Sequence, residues 1–536
     1  MKKRTRLLAS LMVVALGIGT FAGCNKSTQP KVADQTEVKD ETPITIDWMP
    51  QNDQPVNPES HVIKELEKKL NVKFNFIYMD RSKEIELLNM RVVAGEIPDV
   101  MRLTEDRFRA YIDQGVLADI PEETIKKKAP KLYDLELKYG GALAWQFAKG
   151  TNGKIYGLPS LNPNGAGNFV PLWRDDWLKN VGIAKMPETL KDAEDAFYKF
   201  ANNDPDKNGK KDTYALSNTG MSVVFGAYGG IPYFSQGGGL GFTWTIVNGK
   251  AVATAVMPEM KEALTLLNKW YKDGIIDPEF ISGENKGGKW SLNVTFQNGK
   301  IGYSCPALGY GIRKVLYPGN VPSQNYTDFM KLQPNGSYDY GKPLVGPNGK
   351  SGTEKWGTFP GVYVVLGKQV AKDTKKLEKI LEVNEKVASD EDINYTSLFG
   401  VKGVDWKLNA EGILEKMGDS LDANKGAALG IGTNGIGYLG ETNFDGREKT
   451  SSAIGSAFTK STYFGDNYSN PVWGSLPSYP TLKPAVEKKI RESYILFVAG
   501  DKKISEFDAF VADLNKSGLE QLTKEANEWY SKYSKK

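Results

Sequence analysis

The sequence predicts an α/β fold of two lobes. Alternating apolar residues indicate strands at 45–48 and 72–78, and apolar residues at helical spacing indicate helices at 62–70 and 85–92. An extended segment at 99–101 completes the order strand, helix, strand, helix, strand, which is typical of a parallel sheet covered by helices. The chain of 536 residues is too long for one hydrophobic core, so we expect two.

Residues 1–24 are predicted to form a lipoprotein signal peptide. A basic start precedes the apolar stretch 7–18, which is too short to span a bilayer. The small residues Ala22 and Gly23 then precede Cys24, and this pattern resembles the bacterial lipobox. In a lipobox the cysteine thiol is acylated and the chain is cut before it. We therefore expect a palmitate-type anchor on Cys24 at the outer face of a bacterial cell membrane.

The composition after the signal peptide indicates a tethered globular protein. Residues 25–42 are polar and charged and form a predicted flexible tether. The leader's basic residues account for the whole formal net charge of +4, so the remaining chain is balanced. A balanced chain carries no obvious electrostatic footprint for nucleic acid, although a local basic patch stays open, and we expect no nucleic-acid partner.

Few side chains are available for metal or disulfide chemistry. With Cys24 lipidated, Cys305 has no cysteine partner. His61 is the sequence's single histidine, which excludes zinc sites that need two or more histidines. Because His61 follows a helix-start sequence, we interpret it as a solvated residue of a first helical turn.

A loop near the middle of the chain predicts a structural calcium site. Oxygen-bearing side chains stand at positions 1, 3, 5 and 9 of a tight loop with glycine at position 6, the spacing that calcium ligands need. The backbone carbonyl at position 7 supplies a further ligand, while position 12 is alanine and lacks the usual closing glutamate. The alternative is a surface turn rich in Asp, Asn and Gly. The candidate ligands are Asp204, Asp206, Asn208, Lys210, Asp212 and, as a possible closing ligand, Thr213.

Aromatic residues are the candidate ligand contacts. Sugar rings stack on aromatic faces while their hydroxyl groups bond to nearby polar side chains. Gln51 and Asn52 follow the first strand and could face a cleft at its carboxyl end. The glycine-rich run 430–435 matches a dinucleotide-binding spacing, but no strong strand precedes it and a loop is favoured. The aromatic candidates are Trp48, Trp173, Tyr228, Trp290, Tyr310, Trp356 and Trp473.

Short stretches along the whole body carry a resemblance to a known family. In order and spacing they resemble extracellular solute-binding proteins of ABC importers, in the large Gram-positive lipoprotein branch similar to alginate-oligosaccharide binders. The stretches are 93–101, 153–159, 172–178, 204–214, 270–280, 403–406 and 497–500.

The resemblance implies a periplasmic-binding-protein fold with a central ligand cleft and hinge crossovers. It implies a monomer that clamps an oligosaccharide and delivers it to the transmembrane subunits of an ABC importer. Arg174 and its neighbour Asp175 are carried over as ligand contacts, and the resemblance also supports calcium in the loop. The predicted first lobe comprises 43–165 and 292–360, and the predicted second lobe comprises 166–291 and 361–536.

Two other functions stay open on the sequence. A secreted lipoprotein that degrades polysaccharides would need a paired acid and base, and no stretch of the sequence points to such a pair. A binder of peptides or small molecules on the same scaffold would differ only in its pocket. We therefore predict a binding protein and not an enzyme.

Overall fold

The computed structural model describes most of the chain after the predicted tether. The described residues are 42–161, 169–233, 242–280, 294–306, 322–354, 361–410, 412, 414–439, 466–468, 470–472 and 476–533. Cys24, Trp290, Tyr310, Trp356 and Trp473 lie outside them.

Fifteen strands are found in this part of the chain. They are β1 Ile44–Trp48, β2 Val72–Phe76, β3 Val100–Thr104, β4 Gly157–Pro159, β5 Leu172–Trp173, β6 Tyr214–Leu216, β7 Trp244–Val247, β8 Lys250–Ala253, β9 Ile301–Ser304, β10 Asp339–Tyr340, β11 Gly352–Glu354, β12 Val362–Leu366, β13 Trp406–Leu408, β14 Leu414–Lys416 and β15 Asp466–Tyr468.

The α-helices of the described residues pack around these strands. They are His61–Leu70, Glu84–Ala94, Glu105–Asp113, Glu122–Lys128, Pro130–Gly140, Ala142–Phe147, Asp175–Asn180, Leu190–Asn202, Asn218–Ala227, Pro258–Lys272, Val294–Gln297, Gln324–Leu332, Thr374–Ser389, Glu391–Phe399, Ala423–Ala428, Tyr479–Ala499, Phe507–Leu514 and Glu520–Tyr533.

The first sheet confirms the predicted α/β start of the body. Its strand order is β2-β1-β3-β12-β4, with β1 parallel to both β2 and β3. β12 runs antiparallel to β3 and β4. The buried residues of β1, β2 and β12 form one apolar core with helices His61–Leu70 and Thr374–Ser389.

The helix His61–Leu70 shows how local sequence sets this geometry. The Ser60 hydroxyl caps its start by accepting the backbone N–H of Ile63 at 3.2 Å. Its end is set by Asn71, which adopts a left-handed conformation with φ 51°. Asparagine tolerates that conformation better than most residues, so the chain can turn at once into β2.

The second sheet corrects the predicted lobe assignment. Its strand order is β10-β5-β9-β6, with β6 parallel to β9 and β5 antiparallel to both β9 and β10. Two strands of 292–360, β9 and β10, therefore belong with 169–280 and not with the first lobe, while β11 pairs with β15 in a separate two-stranded sheet. Conversely, β12 and the helix that follows it belong with the first sheet. The predicted boundaries differ because β12 pairs with the edge of β3. This contact joins distant parts of the chain, and local sequence patterns do not reveal it.

The second lobe is built on a large aromatic core. Helices Pro258–Lys272 and Tyr479–Ala499 pack together there, and the C-terminal helices add Phe507, Phe510 and Leu514. Trp270 is fully buried in this core, as the helical spacing around it predicts.

The helices of the described residues include none that is long and apolar enough to cross a membrane.

Candidate functional site at the edge of the first sheet

The carboxyl ends of the parallel strands β1, β2 and β3 point to the same edge of the first sheet. Ligands of open α/β sheets bind at this edge because the loops that follow the strands diverge there. We call the polar group Gln51, Tyr78, Arg81, Glu84 and Arg102 the first-sheet edge. It is the candidate site.

Gln51 ties the loops of this edge together. Its backbone N–H donates to the Asn434 carbonyl at 2.7 Å. Its side-chain amide donates to Glu84 Oε1 and to the Arg102 carbonyl, both at 2.9 Å. Gln51 is one of the ligand contacts predicted from the sequence. Both amide hydrogens are used inside the protein, so a ligand can engage only its carbonyl oxygen.

Two arginines supply hydrogen-bond donors at the first-sheet edge. Arg81 Nη1 donates to the Gln51 carbonyl at 2.6 Å, and its side chain is 34% exposed. Arg102 Nη1 donates to Asn434 Oδ1 at 3.2 Å, and its guanidinium lies 5.7 Å from the ring centroid of Tyr438. In the part of the chain that is described, Arg102 pairs with no carboxylate. A planar guanidinium without a carboxylate partner can bind hydroxyl or carboxylate oxygens of a ligand.

Tyr78 is the aromatic residue that this edge exposes. Its side chain is 39% exposed, and its hydroxyl donates to the Asp53 carbonyl at 3.3 Å. Tyr78 is not among the ligand contacts predicted from the sequence, although its position in the alternating pattern carries a signal. It continues the alternating pattern of β2 two residues beyond the last pair with β1, Trp48 with Phe76.

Trp48 is buried, and its prediction as a stacking residue is wrong. It has 0% exposure, and its indole N–H donates to the Gly435 carbonyl at 3.1 Å. Its ring lies 5.6 Å from Tyr438 and 5.7 Å from Phe74. Because both faces and the N–H are satisfied by the protein, no ring surface remains for a sugar.

The glycine-rich run predicted as a loop covers the end of β1. Gly430 has φ +88°, and a β-carbon there would lie 2.6 Å from the Ile63 side chain. Asn52, another predicted ligand contact, is also buried beside this segment and donates to the Ala427 carbonyl at 3.0 Å. The loop therefore closes the core above Trp48, and Asn52 serves that closure.

The second-lobe contacts carried over from the resemblance are structural. Trp173 has 0% exposure and lies 4.5 Å from Tyr303 and 5.4 Å from Phe197, measured between ring centroids. Arg174 is 2% exposed and binds Asp176 through two N–H groups at 2.9 and 2.6 Å. Both predictions of ligand contact are wrong. Trp173 is enclosed by other rings in the core of the second lobe, and Arg174 is buried beside Asp176.

Of two further candidates of the second lobe, Asp175 has partners within it and Tyr228 is largely buried. Asp175 accepts from the Ser337 hydroxyl at 2.5 Å and from Lys179 at 2.8 Å. Tyr228 is 8% exposed, and burial raises the pKa of its hydroxyl. Tyr228 therefore offers little surface to a ligand, whereas Asp175 keeps 24% side-chain exposure and stays a predicted contact.

Trp529 of the C-terminal helix contacts the cores of both lobes. Trp529, from the C-terminal helix, stacks on Phe147 of the first lobe at 5.9 Å between centroids. Burial raises the pKa of Glu487, and the nearby Asp106 carboxylate raises it further, while Lys483 and Arg491 oppose the shift. Glu487 Oε1 is 3.8 Å from Lys483 Nζ.

The predicted calcium loop gathers its side chains around Asn208. The Asn208 amide nitrogen donates to Asp206 at 2.7 Å and to Asp212 at 3.2 Å. Asp204 accepts the backbone N–H groups of Asn208 and Gly209 at 3.0 Å. Burial raises the pKa of Asp206, and the carboxylates of Asp204 and Asp212 raise it further.

The Asp204–Asp212 loop can hold a cation only after the side-chain amide of Asn208 rotates. Within the described residues, no group of three or more His, Cys, Asp or Glu side chains is set to hold a metal ion. The Asn208 amide nitrogen occupies the space between two carboxylates, where a cation's positive charge would be favoured. Rotation of that amide would replace a donor by an acceptor. Thr213 is not a ligand here, since it is buried and donates to the Phe200 carbonyl at 2.8 Å.

His61 begins its helix as predicted but has a partner that the sequence did not reveal. Its Nε2 lies 2.8 Å from Oδ2 of the buried Asp405, which also accepts the Val401 N–H. This pair joins two segments of the first lobe and lies outside the candidate site.

Comparisons with known proteins agree with this architecture. Residues 61–394 match the family of bacterial extracellular solute-binding proteins. The chain is 24% identical over 414 residues to the polygalacturonan/rhamnogalacturonan-binding protein YtcQ of Bacillus subtilis, with 75% of this chain and 74% of that protein covered.

Two solved structures share the fold. The substrate-binding protein FusA of S. pneumoniae in complex with kestose superposes with a TM-score of 0.68 at 19% identity, covering 91% of this chain and 99% of FusA. The alginate-binding protein AlgQ2 without calcium ion gives a TM-score of 0.66 at 18% identity, covering 91% and 98%. The match extends over more than half of the sequence and over both lobes, and the chain belongs to the family of bacterial extracellular solute-binding proteins.

Proposed function

We propose that this protein captures an oligosaccharide at the first-sheet edge, between its two lobes, and delivers it to a membrane ABC importer. The observation that carries the proposal is the combination of an exposed Tyr78 ring with the guanidinium groups of Arg81 and Arg102. An aromatic face and several N–H donors are what a sugar ring with hydroxyl groups requires.

The relatives support a saccharide as the solute. YtcQ is named for binding polygalacturonan and rhamnogalacturonan, and FusA was solved with kestose. Both are binding proteins, and the described part of this chain gives no separate reason to propose turnover. We therefore propose binding without catalysis.

Isothermal titration with two panels tests the proposal: oligogalacturonides as acidic saccharides, and kestose and maltoheptaose as neutral ones. Tyr78→Ala combined with Arg81→Ala should weaken binding at least about tenfold, equivalent to about 1.4 kcal/mol. The matched control is Val93→Ala, which truncates a residue that is 89% exposed and away from the site.

Unchanged affinity in the Tyr78 and Arg81 variant would contradict this location of the site. Binding of peptides but not of either saccharide panel would contradict the solute class. Chromatography of the incubated saccharides adds a third check, since the appearance of shorter products would mean that the protein is an enzyme.

We also propose that the loop from Asp204 to Asp212 binds a structural calcium ion. The side chains of Asp204, Asp206, Asn208 and Asp212 and the carbonyl of Lys210 would hold it, and the ion would neutralise the clustered carboxylates. Support comes from the ligand spacing and from the Asn208 amide, which lies between Asp206 and Asp212.

Thermal unfolding with and without calcium tests this site. Calcium at about a hundred times its dissociation constant should stabilise the fold by about 2.7 kcal/mol, and EGTA should remove the effect. Asp206→Asn should lose the response, while the exposed Asp134→Asn should keep it. No response in the unmodified protein, with no calcium found by elemental analysis, would overturn the proposal.

The third part of the proposal is the lipid anchor on Cys24. It is supported by the order of basic residues, apolar stretch and small residues before the cysteine. Cells grown with labelled palmitate should label the protein, and Cys24→Ser should remove the label and release the protein to the medium. Cys305→Ser is the matched control, because Cys305 is the other cysteine and is buried.

A further inference from the structure

A groove of about 1030 Å³ lies on the first lobe, separate from the first-sheet edge. It is bounded by the end of helix Thr374–Ser389, by helix Glu391–Phe399 and by the hairpin β13–β14. We call it the hairpin groove. None of Gln51, Tyr78, Arg81, Glu84 and Arg102 lines it. Its volume is close to the upper limit of known ligand sites, which is about 1,000 Å³.

One wall of the hairpin groove is apolar and held in place. The rings of Tyr395 and Trp406 stack at 5.2 Å with an interplanar angle of 27°. The Trp406 indole N–H donates to the Gly400 carbonyl at 2.9 Å, which fixes the ring. On the hairpin, Leu408 pairs with Leu414 across the strands and is 44% exposed. Trp406 itself is only 7% exposed, so the apolar surface of this wall comes from the half-buried Tyr395 and from Leu408, with Trp406 supporting Tyr395 from behind.

The carboxylates around the hairpin groove are largely used by the protein. Both Glu385 oxygens accept backbone N–H groups at the start of helix Pro130–Gly140, at 3.2 and 2.8 Å. Asp390 caps helix Glu391–Phe399 by accepting the Ile393 N–H at 3.0 Å. Asp392 pairs with Lys69 at 2.7 Å. These acids hold the walls together.

The lysines of the hairpin groove are different. Lys131, Lys386 and Lys402 line it, and none makes an ion pair with any residue that the structure describes. Lys402 Nζ lies 5.6 Å from the ring centroid of Trp406. Ser389 and Glu391 add a hydroxyl group and a carboxylate. Unused donors and acceptors therefore surround the aromatic wall.

We propose that the hairpin groove is a second saccharide site, selective for neutral oligosaccharides. Sugar hydroxyl groups donate and accept at once, which suits a lining that offers both ammonium groups and a carboxylate beside an aromatic wall. Three lysines and four acids line the groove, so it has no excess of positive charge to select a polyanion. The choice of a saccharide as the ligand of the hairpin groove rests on the proposed function, because saccharides would be the solutes that this protein meets.

Hydrogen exchange measured by mass spectrometry on the full mature protein tests the inference. Kestose, maltoheptaose and cellohexaose serve as neutral probes, and an oligogalacturonide as the acidic one. Neutral probes should slow exchange in 385–416, and they should do so equally in the Tyr78→Ala, Arg81→Ala variant. Protection of 385–416 and of the first-sheet edge is recorded separately, so each proposal can fail without the other.

Paired variants give the control. Leu408→Asp places a charge on the groove wall and should abolish the protection, whereas Val404→Asp changes a 54% exposed residue that does not line the groove and should preserve it. Lys386→Ala with Lys402→Ala should weaken neutral-sugar binding there at least tenfold, as a second variant that leaves the core untouched.

Three results would overturn the inference. One is no protection of 385–416 by any neutral probe. Another is protection by the oligogalacturonide or by an acidic peptide alone, which would show a site for anions. The third is equal loss of protection in Leu408→Asp and Val404→Asp, which would show a general effect on the hairpin.

Discussion

Trp48 and Tyr78 lie at the carboxyl ends of neighbouring strands of the same sheet, yet Trp48 is buried in the core and Tyr78 lies at the surface. Trp48 ends β1 with 0% exposure, while Tyr78 follows β2 with 39% exposure. The difference is the glycine-rich segment 430–439, which lies over the end of β1 and accepts the Trp48 indole N–H. An aromatic residue at a strand end is thus available to a ligand only where no distant segment covers it.

The strongest test of this comparison is Trp48→Ala. The substitution empties a fully enclosed site, and removing a buried tryptophan costs about 3–5 kcal/mol. Chemical denaturation should show that loss in the free energy of unfolding. The affinity of the protein that remains folded should be nearly unchanged, and a selective loss of affinity at normal stability would contradict the assignment of Trp48 to the core.

A second test disturbs the glycine-rich segment 430–439 that lies over Trp48 and keeps the tryptophan itself. Gly430→Ala forces a side chain into a left-handed conformation and towards Ile63. Backbone strain of this kind costs about 1–3 kcal/mol. Thermal unfolding should show the loss, and Trp48 fluorescence should shift to the red as water reaches the ring. Gly432→Ala, which has a similar φ of +111° but no atom within 4 Å of the added carbon, separates strain from the steric clash.

The opposite result is expected at Tyr78. Tyr78→Ala should change the free energy of unfolding by about 0.5 kcal/mol or less, because surface substitutions rarely cost more. It should nevertheless weaken saccharide binding measured by titration. A loss of stability as large as that of Trp48→Ala would place Tyr78 in the core and remove the contrast.

The smallest effect concerns pH at the Asp204–Asp212 loop. Without calcium, the folded-state pKa of Asp206 is raised, so its ionisation costs stability and the fold gains as pH falls through that pKa. Calcium needs the ionised carboxylate, so its stabilisation should shrink at the same time. Thermal unfolding with and without calcium at about pH 7 and about pH 4 should show the two responses diverge. A calcium response that is the same at both would contradict calcium binding by this carboxylate.

Local patterns predicted the first three strands and the helices between them. The alternation in 72–78 and the helical spacing in 62–70 are properties of the residues themselves, and each apolar face needs a partner to leave water. The same reasoning correctly put Trp270 in the core and His61 at a helix start.

The lobe boundaries could not be read in this way. β12 is a short apolar strand whose sequence fits either sheet, and its place follows from pairing with β3 more than 250 residues earlier. Trp173 and Arg174 failed as ligand contacts for a similar reason. Burial depends on which distant elements pack against a residue, and Phe197, Tyr303 and Phe329 all come from other segments.

The sequence by itself determined the α/β class, the order of the first elements, the spacing of the Asp204–Asp212 loop and the family resemblance. Each of these depends on residues close together in the chain or on their order. Tertiary structure alone decided which strand ends are covered, which described cationic side chains, such as Arg102, pair with no carboxylate, and where a ligand finds open surface. Those properties arise from contacts between segments hundreds of residues apart, such as the one that the 430–439 loop makes with Trp48.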